Sequence, residues 1–74
     1  MTNKEIANAL QEARKEKGWL YRELATRAGV MPDTAREACH GIRKPTLDRL
    51  QALCDALGLE IVIRKKGSNN GIIV

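Results

Sequence analysis

The run Glu23-Leu24-Ala25-Thr26-Arg27-Ala28-Gly29-Val30 constrains this chain more than any other. A short helix over about Tyr21 to Arg27, burying Leu24, Ala25 and Ala28, meets Gly29, and a second helix starts almost at once at Pro32. Proline suits the first position of a helix because the amide it lacks would have no partner there. Ala25 is small enough to let the two helices approach. Gly29 accepts the positive φ of a tight corner, and Val30 fills the angle between them. The pair therefore crosses steeply and holds its second helix, about Pro32 to Cys39, out from the body.

Two longer segments supply that body. Thr2-Asn3-Lys4-Glu5 has the form of a capping box, in which hydroxyl and carboxylate satisfy free amides at a helix start. Ile6, Ala9, Leu10 and Ala13 recur at helical spacing, which predicts a helix from about Asn3 to Lys17 ended by Gly18. Beyond Gly41, the basic loop Ile42-Arg43-Lys44-Pro45 leads to Thr46, a capping residue for a fourth helix. Its apolar stripe is Leu47, Leu50, Leu53, Cys54 and Leu57, and Gly58-Leu59 reads as a Schellman stop. The period then changes. Glu60-Ile61-Val62-Ile63-Arg64 alternates and is β-branched, predicting a strand with Ile61 and Ile63 on one face. Gly67-Ser68-Asn69-Asn70-Gly71 is a turn or flexible stretch before the apolar tip Ile72-Ile73-Val74.

With 74 residues the chain makes one domain. A domain of this size buries roughly 60% of its unfolded surface and needs a disulfide, a metal or a partner subunit to be more than marginally stable. Cys39 and Cys54 give no disulfide framework, and with His40 they lack the paired spacing of a zinc site. No metal and no cofactor is expected, which leaves a partner chain. An acidic metal-binding cluster or a nucleophile–base pair is not visible, so enzymatic activity, such as that of a nuclease, is not expected. The longest apolar run falls far short of the roughly 20 residues that span a bilayer, and no leader-like start is seen; a cytoplasmic location away from membranes is expected. The formal charge of +4 points to an acidic partner. At 3% aromatic residues, few rings are available to stack on single strands or RNA.

The two helices around Gly29 follow the physical recipe of a helix-turn-helix, which offers its second helix to the DNA major groove. A four-helix bundle with a glycine corner and no ligand fits the same spacing. From about Ile6 to Leu59 the sequence further resembles the lambda-repressor-like, or XRE/Cro-type, helix-turn-helix family. The matching residues are Arg14-Lys15-Glu16-Lys17-Gly18-Trp19, Glu23-Leu24-Ala25, Ala28-Gly29-Val30, Gly41, Arg43-Lys44-Pro45-Thr46-Leu47, Leu50, Leu53 and Ala56-Leu57-Gly58. Leu57-Gly58-Leu59-Glu60-Ile61-Val62-Ile63 resembles more narrowly the HipB-like antitoxin branch, where a strand after the last helix pairs with its symmetry mate. The resemblance implies an all-α fold: a compact four-helix helix-turn-helix domain with one short C-terminal β-strand paired across a dimer. Three positions depart from the family: Leu20 stands in place of a capping Ser or Thr, Tyr21 in place of Gln, and Met31 in place of a capping Ser.

The resemblance also implies that helix three reads bases through Pro32, Asp33, Thr34, Arg36 and Glu37. Arg36 can donate a bidentate pair to guanine, Asp33 and Glu37 can accept from cytosine, and Pro32 or Thr34 can meet a thymine methyl. Phosphates would be gripped by Tyr21, His40, Arg43 and Lys44. The plainer alternatives are a solvated helix face for Arg36 and Glu37 and a merely soluble basic loop for Arg43-Lys44. Trp19, at a hydrophobic position of the family, is expected in the core rather than as a platform for stacked bases.

A lone strand leaves backbone groups unpaired. It can pair antiparallel with a second copy through Leu59, Ile61, Val62 and Ile63, or fold back on Ile72-Ile73-Val74. Pairing between chains is preferred because a two-stranded hairpin is marginal alone. The expected organisation is a DNA-binding domain over 1–59, a dimerisation strand over 60–66 and a flexible tail over 67–74. The expected function is that of a homodimeric repressor of its own promoter, binding a palindromic operator in double-stranded DNA. The alternative is an antitoxin whose main partner is a toxin protein docked by the C-terminal tip, which otherwise reads as a frayed end.

Overall fold

Each helix of the computed structural model, which describes residues 2–63, begins and ends at a local signal. Four helices follow one another: α1 (Asn3–Lys17), α2 (Tyr21–Ala28), α3 (Pro32–His40) and α4 (Leu47–Leu57). The Thr2 hydroxyl accepts from the Glu5 amide at 3.2 Å while the Glu5 carboxylate accepts from the Thr2 amide at 3.1 Å, completing the capping box. That hydrogen bonding to Thr2 holds the Glu5 carboxyl below its ordinary pKa. Thr46 caps α4 by accepting from the Arg49 amide at 3.3 Å. Leu20 and Met31 make no side-chain cap. At α2 the Glu23 carboxylate instead reaches back to the Leu20 amide, 3.3 Å away.

Leu10, Leu24 and Leu53 are fully buried, each at 1% exposure or less. Around them lie Ala13, Ala25, Ala35, Ala38, Cys39, Cys54 and Leu57. The buried face of α3 is Ala35, Ala38 and Cys39, all small, so this helix seats against α1 and α2 without a long side chain of its own. Gly29 turns the corner at φ 73°, and Val30, half-buried against the core, donates its amide to the Ala25 carbonyl at 3.0 Å. Small residues thus bring α2 and α3 together, as the sequence led us to expect.

Several details differ from the sequence reading. The second and third helices each run one residue further, to Ala28 and His40, because the left-handed residue that ends them is the glycine immediately after. On α1 the alanine buried beside Ala13 is Ala7, not Ala9, which is exposed. The cause is a close approach: a Cβ on Gly41 would lie 3.4 Å from the Ala7 side chain, so the Ala7 face of α1 abuts the end of α3. The Asn3 amide strengthens this junction by donating to the Gly41 carbonyl at 3.3 Å. Leu47 is 70% exposed although it extends the apolar stripe of α4. Ala28 and Leu50 are only half-buried.

Gly58 closes α4, with the Leu59 amide donating to the Cys54 carbonyl at 2.8 Å. Of the expected strand, Glu60 to Ile63 fall within the described residues and form no strand there; Ile63 alone takes a β-bridge position. Ile61 and Val62 are half-buried whereas Ile63 is 59% exposed, so Ile61 and Ile63 do not share one burial state. The rest of that strand and the segment 67–74, including Ile72-Ile73-Val74, lie outside the described residues.

Both cysteines are free and buried. Burial pushes each thiol above its ordinary pKa, an effect eased at Cys39 by Arg14 and reinforced at Cys54 by Asp55. The thiolate is the reactive form, and a raised pKa lowers its fraction at any pH below that value. At pH 8 the native protein should therefore react with Ellman's reagent far more slowly than the urea-unfolded chain, and the native rate should rise with pH. Immediate reaction of two thiols in the native state would contradict this burial.

Candidate nucleic-acid interface

Stepping about 100° per residue around α3 places its outward face opposite Ala35, Ala38 and Cys39. That face carries Asp33, Arg36, Glu37 and His40, flanked by Pro32 on one side and Thr34 on the other. Pro32, Asp33, Arg36 and His40 are exposed, while Thr34 and Glu37 are half-buried toward α4. All five residues expected to meet bases thus belong to one end or side of a single short helix. The helix that carries them is held by small side chains behind it.

Two ion pairs organise these charges differently. Arg36 and Asp33 approach only to 3.9 Å with both side chains well exposed, a pair worth at most about 1 kcal/mol. The Arg36 guanidinium is consequently available to a better acceptor. Glu37 lies 3.6 Å from the Arg43 guanidinium, with its own side chain largely covered. It leans toward the loop after α3 rather than straight outward.

Tyr21 and His40, expected separately as phosphate contacts, come together. The Tyr21 hydroxyl lies 2.8 Å from His40 Nε2, and the rings are 5.4 Å apart. Gln11 donates its amide to the same hydroxyl at 2.8 Å and accepts from Arg14 Nε at 2.9 Å. Arg14 in turn lies 4.2 Å from the centre of the Tyr21 ring and donates to the Trp19 carbonyl. Tyr21 therefore bridges α1, α2 and α3 at the edge of the interface. In this arrangement the tyrosine that replaces the family's glutamine gains partners from two other helices. Gln11 was not singled out in the sequence, and Arg14 only as a position matching the family, because nothing local marks residues that meet Tyr21 from another helix.

Trp19 is half-buried against the core, with the Arg27 guanidinium 4.5 Å and the Lys17 ammonium 5.6 Å from its ring. Trp19 thus packs against the core, as expected of it.

Arg43 and Lys44 are exposed on the loop between α3 and α4, next to Thr34 and Glu37. Arg49, in the first turn of α4, borders the same corner and was also missed in the sequence. As one charge on an amphipathic helix it has no local signature. Away from this face, Ile6, Ala9, Leu50, Cys54 and residues 59–63 line an apolar groove of about 280 Å³. It contains all four residues expected at a dimer interface, Leu59, Ile61, Val62 and Ile63. Among the described residues no group of His, Cys, Asp and Glu could hold a metal, and no helix is long and apolar enough to cross a membrane.

Comparison with known proteins agrees with this architecture. None of the curated proteins matches the chain. A family model described as helix-turn-helix matches residues 10–63, spanning α2, the Gly29 corner, α3 and α4. With well over half its length matched, the chain belongs to the XRE-type, lambda-repressor-like helix-turn-helix family of DNA-binding transcription regulators.

Proposed function

We propose that the chain is a sequence-specific repressor that binds an operator in duplex DNA as a homodimer, with α3 in the major groove of each half-site. One observation carries the reading: α3 turns a polar face to solvent, Asp33 and Arg36 foremost, directly beside the cations of the α3–α4 loop. In this reading Pro32, Asp33, Thr34, Arg36 and Glu37 are the candidates for base edges, and Tyr21, His40, Arg43 and Lys44 for phosphates. The charge of +4 draws the chain to DNA, while Asp33 and Glu37 repel phosphate and so disfavour binding in the wrong register. A titration of fluorescent duplex over a range of salt tests it. Affinity should fall steeply with salt; absence of duplex binding at low salt would refute the reading.

The dimer is supported by the apolar groove along α1, α4 and residues 59–63, since a second copy is the partner that a marginal domain of this size requires. Residues 1–59 would then form the DNA-binding unit and 60–66 the pairing segment, as in the HipB-like branch, with 67–74 as a tail. Twofold symmetry would set the two α3 helices about 34–36 Å apart, one turn of DNA, on a palindromic site. Ile61→Asp introduces a charge into the groove, and sedimentation should then show monomers where the parent chain sediments as a dimer. An unchanged dimer would remove this segment from the interface. With repression of its own promoter as the simplest circuit, cellular concentration would be the control. The antitoxin alternative assigns a toxin partner to Ile72-Ile73-Val74, a tip outside the described residues.

A further inference from the structure

We propose that Arg43, Lys44 and Arg49 form a notch that grips one phosphate of the DNA backbone, and that Glu37 serves it as a positioning residue by holding Arg43. This rests on the DNA-binding reading above and deepens it. The notch, about 70 Å³ in volume, opens between Thr34 and Glu37 of α3, Arg43, Lys44 and Pro45 of the loop, and Arg49 of α4. It sets three cations against a single carboxylate. Among the described residues neither Lys44 nor Arg49 is in an ion pair, so their charge is not already neutralised there.

The position of Arg49 is poorly explained by helix stability. In the first turn Asp48 suits the helix dipole, whereas the cation Arg49 beside it opposes the dipole, which favours cations at the other end. The last turn of α4, where they would help, has none. An anion placed in the notch would reverse the sign of that cost. The start of α4 is also fixed, since the Thr46 hydroxyl accepts from the Arg49 amide at 3.3 Å. Arg49 therefore projects from a capped turn, whereas Arg43 and Lys44 come from a loop.

Glu37 has a different position from the other acidic residue of α3. The Asp33 side chain is 85% exposed, but that of Glu37 is 23% exposed and faces Arg43 at 3.6 Å. A carboxylate turned into the notch is poorly placed to accept from a base. It orients the guanidinium, which is itself 80% exposed and able to meet a phosphate on its outer side. Glu37 thus acts through Arg43 and leaves the set of base candidates, which keeps Pro32, Asp33, Thr34 and Arg36.

The test uses the full chain and its R49Q, R49K and E37Q variants. Each is titrated with the duplex recovered by selection from random sequence and with a scrambled duplex of equal length, over a series of KCl concentrations. R49Q should weaken both duplexes by the same factor and reduce the slope of log affinity against log salt by about 2, one contact being lost from each protomer of the dimer. R49K should keep the parent slope. E37Q should weaken both duplexes alike, because Arg43 loses the carboxylate that holds it, and leave their ratio within twofold. An unchanged slope in R49Q, or a loss in E37Q confined to the selected duplex, would overturn the proposal while leaving DNA binding by α3 intact. A parent chain that binds neither duplex would instead overturn the reading beneath it. Inorganic phosphate added at matched ionic strength should not erase the difference between parent and R49Q. If it does, the notch is a free-anion site and the DNA-backbone assignment is wrong.

Discussion

Leu24→Ala is expected to cost about 2–5 kcal/mol of folding stability, the range for truncating a buried leucine. Leu24 has no solvent exposure and is the one large fully buried side chain that α2 contributes. Its neighbours Ala25, Ala35 and Ala38 are too small to fill the space it would leave. A chain of 74 residues has about 4–11 kcal/mol in total at the usual stability per residue. The substitution should therefore lower the thermal midpoint by about 8 °C or more, since each kcal/mol shifts a domain of this size by about 4–8 °C. Leu47→Ala is the control. Leu47 is 70% exposed, and its removal should change stability by no more than about 0.5 kcal/mol. Equal losses from the two substitutions in a urea titration would mean that the core is wrongly drawn.

The second large effect is on DNA rather than on folding. Arg36→Ala should reduce discrimination between the preferred duplex and a scrambled one by about 1–3 kcal/mol for each half-site, the value of one bidentate contact to a base. Arg36 is held only by a 3.9 Å approach to Asp33 and has no part in the core, so the variant should fold normally. Lys44→Ala should weaken both duplexes alike, because a phosphate contact carries no sequence information. Paired binding titrations distinguish the two outcomes. Equal effects of both substitutions on both duplexes would sink the assignment of α3 as the reading element.

Much of the fold was legible because its signals are local. The capping box at Thr2, the cap at Thr46 and the glycines after each helix mark their ends whatever the rest of the chain does. The α2–α3 corner was legible for the same reason, since Ala25, Gly29, Val30 and Pro32 carry its requirements within a few residues. What escaped depends on contact between distant segments. Ala7 is buried because it meets Gly41, and helical periodicity alone cannot choose it over Ala9. Leu47 matches the stripe of α4 yet is exposed. The same limit applied at the interface: the face of α3 followed from the helical repeat, but Tyr21 finding His40 and Gln11, Glu37 turning to Arg43, and Arg49 joining the basic loop all arise from the packing of four helices.

Selection of duplexes from a random-sequence pool by the full chain tests the central claim most directly, because it requires recognition, symmetry and half-site spacing to emerge together. The enriched sequences should contain an inverted repeat whose half-sites are centred about one helical turn apart. Recovery of sequences with no shared motif, bound no more tightly than the starting pool, would contradict the account.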